Sequence, residues 1–124
     1  MYRPARSGAA SKRQLRLAQI GVAGMGRSDY DSLVQHEAVR YTAFCDVDRH
    51  HLDGIPDHPA TGRRFSDYRR LFDEGADEFD AVVISTPDHM HAPIAMRALM
   101  EGKHVYCQKP LAHTVFLVFS IKIA

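Results

Sequence analysis

The chain of 124 residues predicts a single α/β domain on a doubly wound parallel sheet, with strands in the order 3-2-1-4-5. Three observations carry that expectation. Short apolar runs alternate with segments of helical period, the pattern of successive βαβ units. The first such run, "LRLAQIGVAG", feeds directly into glycines. The run "DAVVISTP" is continuous, β-branched and closed by Pro87, as a strand buried on both faces should be.

The remaining elements follow in order. After the first strand, about Arg27 to His36 reads as a short helix with Tyr30, Leu33 and Val34 on one side. "VRYTAFCDVD" is a second strand ending in acid. Asp48 can cap a brief turn of helix that Gly54 and Pro56 end. A minimal third strand fits Gly62 to Phe65. Ser66 then caps a helix carrying Tyr68, Leu71 and Phe72, stopped at Gly75. The fourth strand is the β-branched run. A helix from about His91 to Glu101 follows, with Ile94, Ala95, Ala98 and Leu99 inward, and "KHVYCQ" is the fifth strand. Right-handed crossovers wrap these five strands into the stated order.

Composition narrows the partners. A net charge of +1 gives no global pull toward nucleic acid or an anionic membrane, and neither is expected as a partner. The exception is local: "MYRPARSGAASKRQLR" carries five basic residues and no acid. Residues 1–16 are therefore expected to form a flexible basic tail, and with no apolar core they make a poor secretory signal. Nothing approaches the ~20 apolar residues of a membrane span. Strands two and five should lie roughly 14 Å apart at ~4.8 Å per strand, too far for a disulfide. Cys45 and Cys107 are thus expected as free thiols in a reducing, cytoplasmic setting.

The chemistry gathers at three places. Gly24 and Gly26 in "IGVAGMGRSDY" are spaced as the first two glycines of a dinucleotide fingerprint, at a turn that opens a helix. Glycine there permits a tight bend and close backbone approach to a pyrophosphate, and the helix supplies free N–H groups and a positive dipole. Arg27 follows directly and joins the expected cofactor-binding set. The third fingerprint position is Asp29, where glycine or alanine is usual, so its carboxylate must point away from the phosphates.

Asp46 lies 22 residues beyond Gly24, where an acid can hold the ribose hydroxyls of an adenosine. A 2′-phosphate beside it would be repelled, which favours NAD over NADP. Arg49 and His50 follow closely and leave NADP as a second option. "STPDHMH" sits at the end of the fourth strand, on the sheet edge where ligands bind in such folds. Thr86 and Pro87 should line the cleft. His91, at the next helix start, is expected as a neutral hydrogen-bonding group beside the cofactor. No acid or cysteine completes a metal site with His89 and His91, so no metal is expected.

At "QKP" the pattern resembles the Gfo/Idh/MocA oxidoreductases, through their NAD(P)-binding, Rossmann-like domain. The resemblance covers 17–115 and rests on "IGVAGMG", "CDVD" and "STPDHMHAPIAMRALMEGKHVYCQKPLAHTV". It implies a nicotinamide dinucleotide as cofactor and sugar-type hydroxyls as substrates. It also implies cofactor contacts at Gly24, Gly26, Asp46, Thr86 and Pro87. The family's last motif is typically Glu-Lys-Pro, whose lysine sits near the nicotinamide and the reacting hydroxyl. That catalytic and cofactor-contacting role falls on Lys109. The motif's glutamate is here Gln108, which removes a charge partner from Lys109.

The resemblance further implies a larger second domain that supplies the substrate pocket. Residues 116–124, "FLVFSIKIA", are instead an apolar, strand-like tail, the composition an early stop or broken frame would leave. The chain alone is expected to be catalytically incomplete, its tail offering a contact for oligomerisation. A non-catalytic nucleotide-binding or interaction module is the alternative. An S-adenosylmethionine-dependent methyltransferase fits less well, because "STPDHMH" is not the acid or Asn-Pro-Pro type of site that chemistry uses.

Overall fold

The computed structural model describes residues 13–56 and 62–109. Strand β1 (Leu15–Ile20) lies at the centre of the sheet, flanked by β2 (Val39–Cys45) and β4 (Ala81–Ile84). β3 (Arg63–Phe65) pairs outside β2 and β5 (His104–Cys107) outside β4. Every pairing is parallel, and the order is the expected 3-2-1-4-5. Helices α1 (Met25–Leu33), α2 (Arg49–Asp53), α3 (Tyr68–Gly75) and α4 (His91–Met100) connect the strands.

Burial on both faces follows from strict alternation in the central strands. Ala18, Ile20, Val82 and Ile84 point to the side covered by Phe72 of α3 and by Ile94, Ala95 and Ala98 of α4. Leu17, Ala81 and Val83 point to the side covered by Tyr30 of α1 and Leu52 of α2. The register between β1 and β2 shifts between Leu17 and Ala18, so Leu17 faces Tyr41 while Ala18 faces Ala43. Thr42, left out of the pairing, bonds through Oγ1 to the Leu17 carbonyl at 3.3 Å. The bulge puts Tyr41 and Phe44 on one face, where their rings stack with centroids 5.4 Å apart.

Local signals held with small displacements. Asp48 caps α2 by accepting from the His50 N–H at 2.9 Å. The cap of α3 is Asp67 rather than Ser66. Its carboxylate takes the Arg69 N–H at 2.9 Å and the Arg69 guanidinium at 2.7 Å, a charged grip that a serine cannot match. Both cysteines are free. Burial pushes the Cys45 thiol up to about 12 and that of Cys107 up to about 11.

Strand β1 starts at Leu15, where the run "LRLAQIGVAG" begins, so the tail drawn over residues 1–16 overlaps the sheet at Leu15 and Arg16. Asp80 anchors this end of the strand. Its carboxylate accepts the Arg16 N–H at 3.0 Å and the guanidinium at 2.9 and 3.3 Å, and its own N–H donates to the Arg16 carbonyl at 2.8 Å. Residues 1–12 of the tail and the apolar stretch 116–124 lie outside the described residues.

The Arg16 clamp holds the Asp80 carboxyl down to about 2. A carboxylate with a depressed folded value contributes stability that is complete above the ordinary range near 3.9 and is lost as pH falls through about 2. Asp80→Asn should therefore lower Tm at neutral pH by roughly 4–8 °C. The gap between variant and parent should close as pH falls through 4 toward 2. A gap that stays constant across that range in thermal scans contradicts the clamp.

Candidate functional site

Because all five strands are parallel, their carboxyl ends meet on one edge. Three backbone bonds carry the pairing past the strands into the loops. Gly21 N–H donates to Cys45 O, Ser85 N–H to Ile20 O, and Gln108 N–H to Ile84 O. The turn after β1 begins at Gly21, with φ of 85°. A Cβ there would lie 2.5 Å from the Ser85 carbonyl oxygen, and one on Gly26 would collide with the Gly21 carbonyl. The turn is thus pressed against β4 by its own lack of side chains. Gly24 is the N-terminal boundary of α1 and faces open space. The first turn of α1 carries no acid, so its dipole stays available to an anion.

Asp46 sits just beyond β2. One carboxylate oxygen accepts the Val22 N–H at 3.1 Å, and the other accepts the Asp48 N–H at 2.9 Å. His51 Nδ1 stands 3.3 Å from that second oxygen. The acid therefore ties the glycine turn to the loop after β2. Its side chain is 11% exposed, and it lines a cavity of about 540 Å³, within the range of small-molecule sites.

Gly21, Ala23, Asp46, Thr86 and Pro87 form the floor and sides of that cavity. Val47, Tyr68, Met90 and Ile94 supply apolar wall, with His51 and His89 beside them. Thr86 Oγ1 is buried and finds no hydrogen-bond partner among the described residues. A buried hydroxyl without a partner costs about 1–3 kcal/mol.

The other expected residues stand differently. His91 is 1% exposed and lies behind the wall, with Nε2 at 2.8 Å from the Thr86 carbonyl. It positions the Thr86 loop and is not brought to the cavity surface. Arg27 turns along α1, bonding Asp31 at 2.9 Å and the Gly54 carbonyl at the end of α2 at 3.0 Å. Lys109 is exposed just past β5, outside the cavity lining but on the same sheet edge. Asp29 is held by side chains from beyond its own helix. It meets Ser85 and Gln108.

Sequence reasoning missed Gly21, Val47, His51 and Tyr68. A glycine directly after the first strand, three residues ahead of Gly24, and a hydrophobe directly after the acid were the available signals. Among the described residues no three His, Cys, Asp or Glu side chains gather as a metal site. No helix among them is long and apolar enough to cross a membrane.

Comparison with known proteins agrees with this geometry. The Gfo/Idh/MocA model, described as an oxidoreductase family with an NAD-binding Rossmann fold, matches residues 15–122. A glycosyl hydrolase family 109 protein of Shewanella baltica is 37% identical over 111 residues, covering 82% of this chain. An alpha-N-acetylgalactosaminidase of Shewanella oneidensis is 36% identical over the same span. The chain spans 24% of the length of these relatives. Scyllo-inositol dehydrogenase of Lactobacillus casei, solved with NAD(H) and scyllo-inositol, superposes with a TM-score of 0.81 at 20% identity. That match covers 90% of this chain and 32% of the dehydrogenase.

Replacing the buried hydroxyl separates its cost to the free chain from a share in ligand binding. Thr86→Val should leave the Tm of the free chain unchanged or raise it by a few degrees, because an unpartnered polar atom is removed. Dinucleotide affinity should fall about 3–10-fold, the net worth of one hydrogen bond. A lower Tm with unchanged affinity by calorimetry contradicts the assignment.

Proposed function

The chain belongs to the Gfo/Idh/MocA oxidoreductase family as its NAD-binding Rossmann domain, and we propose that its cleft holds NAD(H) with Asp46 on the adenosine ribose. The observation that supports this most directly is the Asp46 carboxylate, which lines the cavity while gripping the Val22 amide of the glycine turn. The carboxylate oxygen that holds Val22 has a further lone pair for a ribose hydroxyl. The walls at Val47, Tyr68 and Met90 suit the flat apolar faces of an adenine. Gly24 and Gly26 set the pyrophosphate against the start of α1, with Arg27 beside it. Thr86 and Pro87 line the passage toward the nicotinamide half, their loop braced by His91.

When bound, the dinucleotide supplies a hydride acceptor for a secondary alcohol. The chain's own part is to fix that group and to hold Lys109 where the proton of a substrate hydroxyl is handled. Sugar-type hydroxyls are the substrate class, supported by the inositol dehydrogenase and the aminosugar-directed relative alike. A second reading, glycoside hydrolysis by the complete protein, is favoured by the 36–37% identity to relatives named for that activity. Positioning of a substrate against the hydride acceptor can be worth ~7–11 kcal/mol. Little turnover is expected where the described cleft acts alone.

The proposal extends to a reducing, cytoplasmic setting, supported by two free thiols, and to self-association through residues 116–124, which lie outside the described residues.

Calorimetric titration with NADH and NADPH tests the reading. The parent should prefer NADH about 10-fold or more, since a 2′-phosphate meets the Asp46 charge. Asp46→Asn should weaken NADH by about 10–100-fold, the loss of a charged hydrogen bond, and narrow the preference. Equal affinities for NADH in parent and variant would end it.

A further inference from the structure

The sequence departs twice from the pattern it otherwise follows: an acid at the third fingerprint position, Asp29, and an amide before the lysine, Gln108. These residues are 79 apart in sequence, and the fold puts them in contact. Gln108 Nε2 lies 2.9 and 2.8 Å from the two Asp29 carboxylate oxygens. The Ser85 hydroxyl donates to Asp29 Oδ2 at 2.6 Å. Ser85 in turn accepts from Gln19 Nε2 at 3.3 Å. Gln19, fully buried, also donates to the Gly21 carbonyl at 3.0 Å and accepts from the Tyr41 hydroxyl at 2.9 Å. The Gln108 amide and the Ser85 hydroxyl both donate to the Asp29 carboxylate, and Gln19 donates to Ser85 behind them.

We propose that Asp29 is the positioning carboxylate of the Lys109 turn. The negative charge that the resemblance places at residue 108 is carried instead on α1 and presented through the Gln108 amide. The two substitutions are then one unit. A carboxylate only accepts and an amide can donate, so Asp29 with Gln108 is satisfied. Glutamate at 108 would set two carboxylates face to face, and one would have to protonate or swing out. Glycine or alanine at 29 would leave the Gln108 amide without its acceptor. The unit joins the glycine turn, the end of β4 and the residue before Lys109, so it acts on the nicotinamide half of the cleft. In that respect it rests on the dinucleotide reading above.

Few other charges face Asp29. From β2 there is the Tyr41 phenol, pushed well above its usual range by burial and then by Asp29 itself. On α1, Arg27 is paired with Asp31. Lys109 is the next residue after Gln108. The cleft histidines His51 and His89, and His91 behind the wall, are present in every variant and cancel in comparison.

The test is a cycle of Gln108→Glu, Asp29→Ala and the double variant, read by Tm and by affinity for NADH and for ADP-ribose, which lacks the nicotinamide. At about pH 8, Gln108→Glu should lower Tm and weaken NADH by about 10-fold while leaving ADP-ribose within about 2-fold. Both losses should recover toward about pH 5.5 as the acid pair shares a proton. The double variant should show neither the loss nor the pH dependence of Gln108→Glu. Should Gln108→Glu fail to fold, Asp29→Asn carries the test, with NADH weakened and ADP-ribose kept. The proposal is overturned by losses that persist in the Asp29→Ala background, by an absent pH dependence, or by equal loss of ADP-ribose. A parent that binds neither ligand overturns the dinucleotide reading and the positioning role with it, while the Tm cycle still judges the Asp29–Gln108 pair.

Discussion

No side chain fits between the end of β1 and the end of β4, and the site depends on that. Gly21 turns with its Cα against the Ser85 backbone, where a Cβ would stand 2.5 Å from the carbonyl oxygen. Because the two strand ends touch, the glycine turn lies low over the sheet edge. The turn at Gly21 and Ala23 and the Thr86 loop then border one crevice. Gly26 repeats the constraint from the helix side, packing on the Gly21 carbonyl. A ligand backbone can approach closely only where the protein backbone is bare.

Polar groups beneath the crevice fix it in place. Asp46 bonds the amide after Gly21 from one side, and Gln19 bonds the Gly21 carbonyl from below. Gln19 is fully buried, yet its amide nitrogen and its carbonyl oxygen both have partners. A satisfied buried network of this kind specifies one geometry where apolar packing alone would tolerate several. Asp46 serves both fold and site: its carboxylate holds the turn and also lines the cavity. The Thr86 hydroxyl is the reverse case, a buried group with no partner among the described residues, and so the point where the free protein is least satisfied.

The fold was legible because its signals are local. The central strands are apolar runs, and the starts of α1, α2 and α3 have a glycine or a capping acid within a residue of where the chain obeys it. Displacements arose where a tertiary partner outbid the local one. Asp67 displaced Ser66 because Arg69 could reach it. The tail drawn to residue 16 yields Leu15 and Arg16 to the strand, where Asp80, 64 residues away, holds Arg16. The bulge at Thr42 left no sequence mark.

The site was legible in part. Asp46, Thr86 and Pro87 were found because the sheet order puts strand ends on one edge, and the structure places all three on the cavity. His91 and Arg27 were marked by position alone, and their side chains turn to the Thr86 carbonyl and to Asp31. The pairing of Asp29 with Gln108 was beyond reach, since each read singly is a departure from pattern.

The central claim is that the glycine turn, Asp46 and Thr86 border one dinucleotide crevice. Amide chemical-shift mapping of the isotope-labelled chain during an NADH titration tests it directly. The account predicts that Gly21, Val22, Asp46, Val47 and Thr86 shift together along a single saturating curve. Shifts confined to the opposite edge, around Arg13 and Gly102 to His104, or none at millimolar NADH, would contradict it.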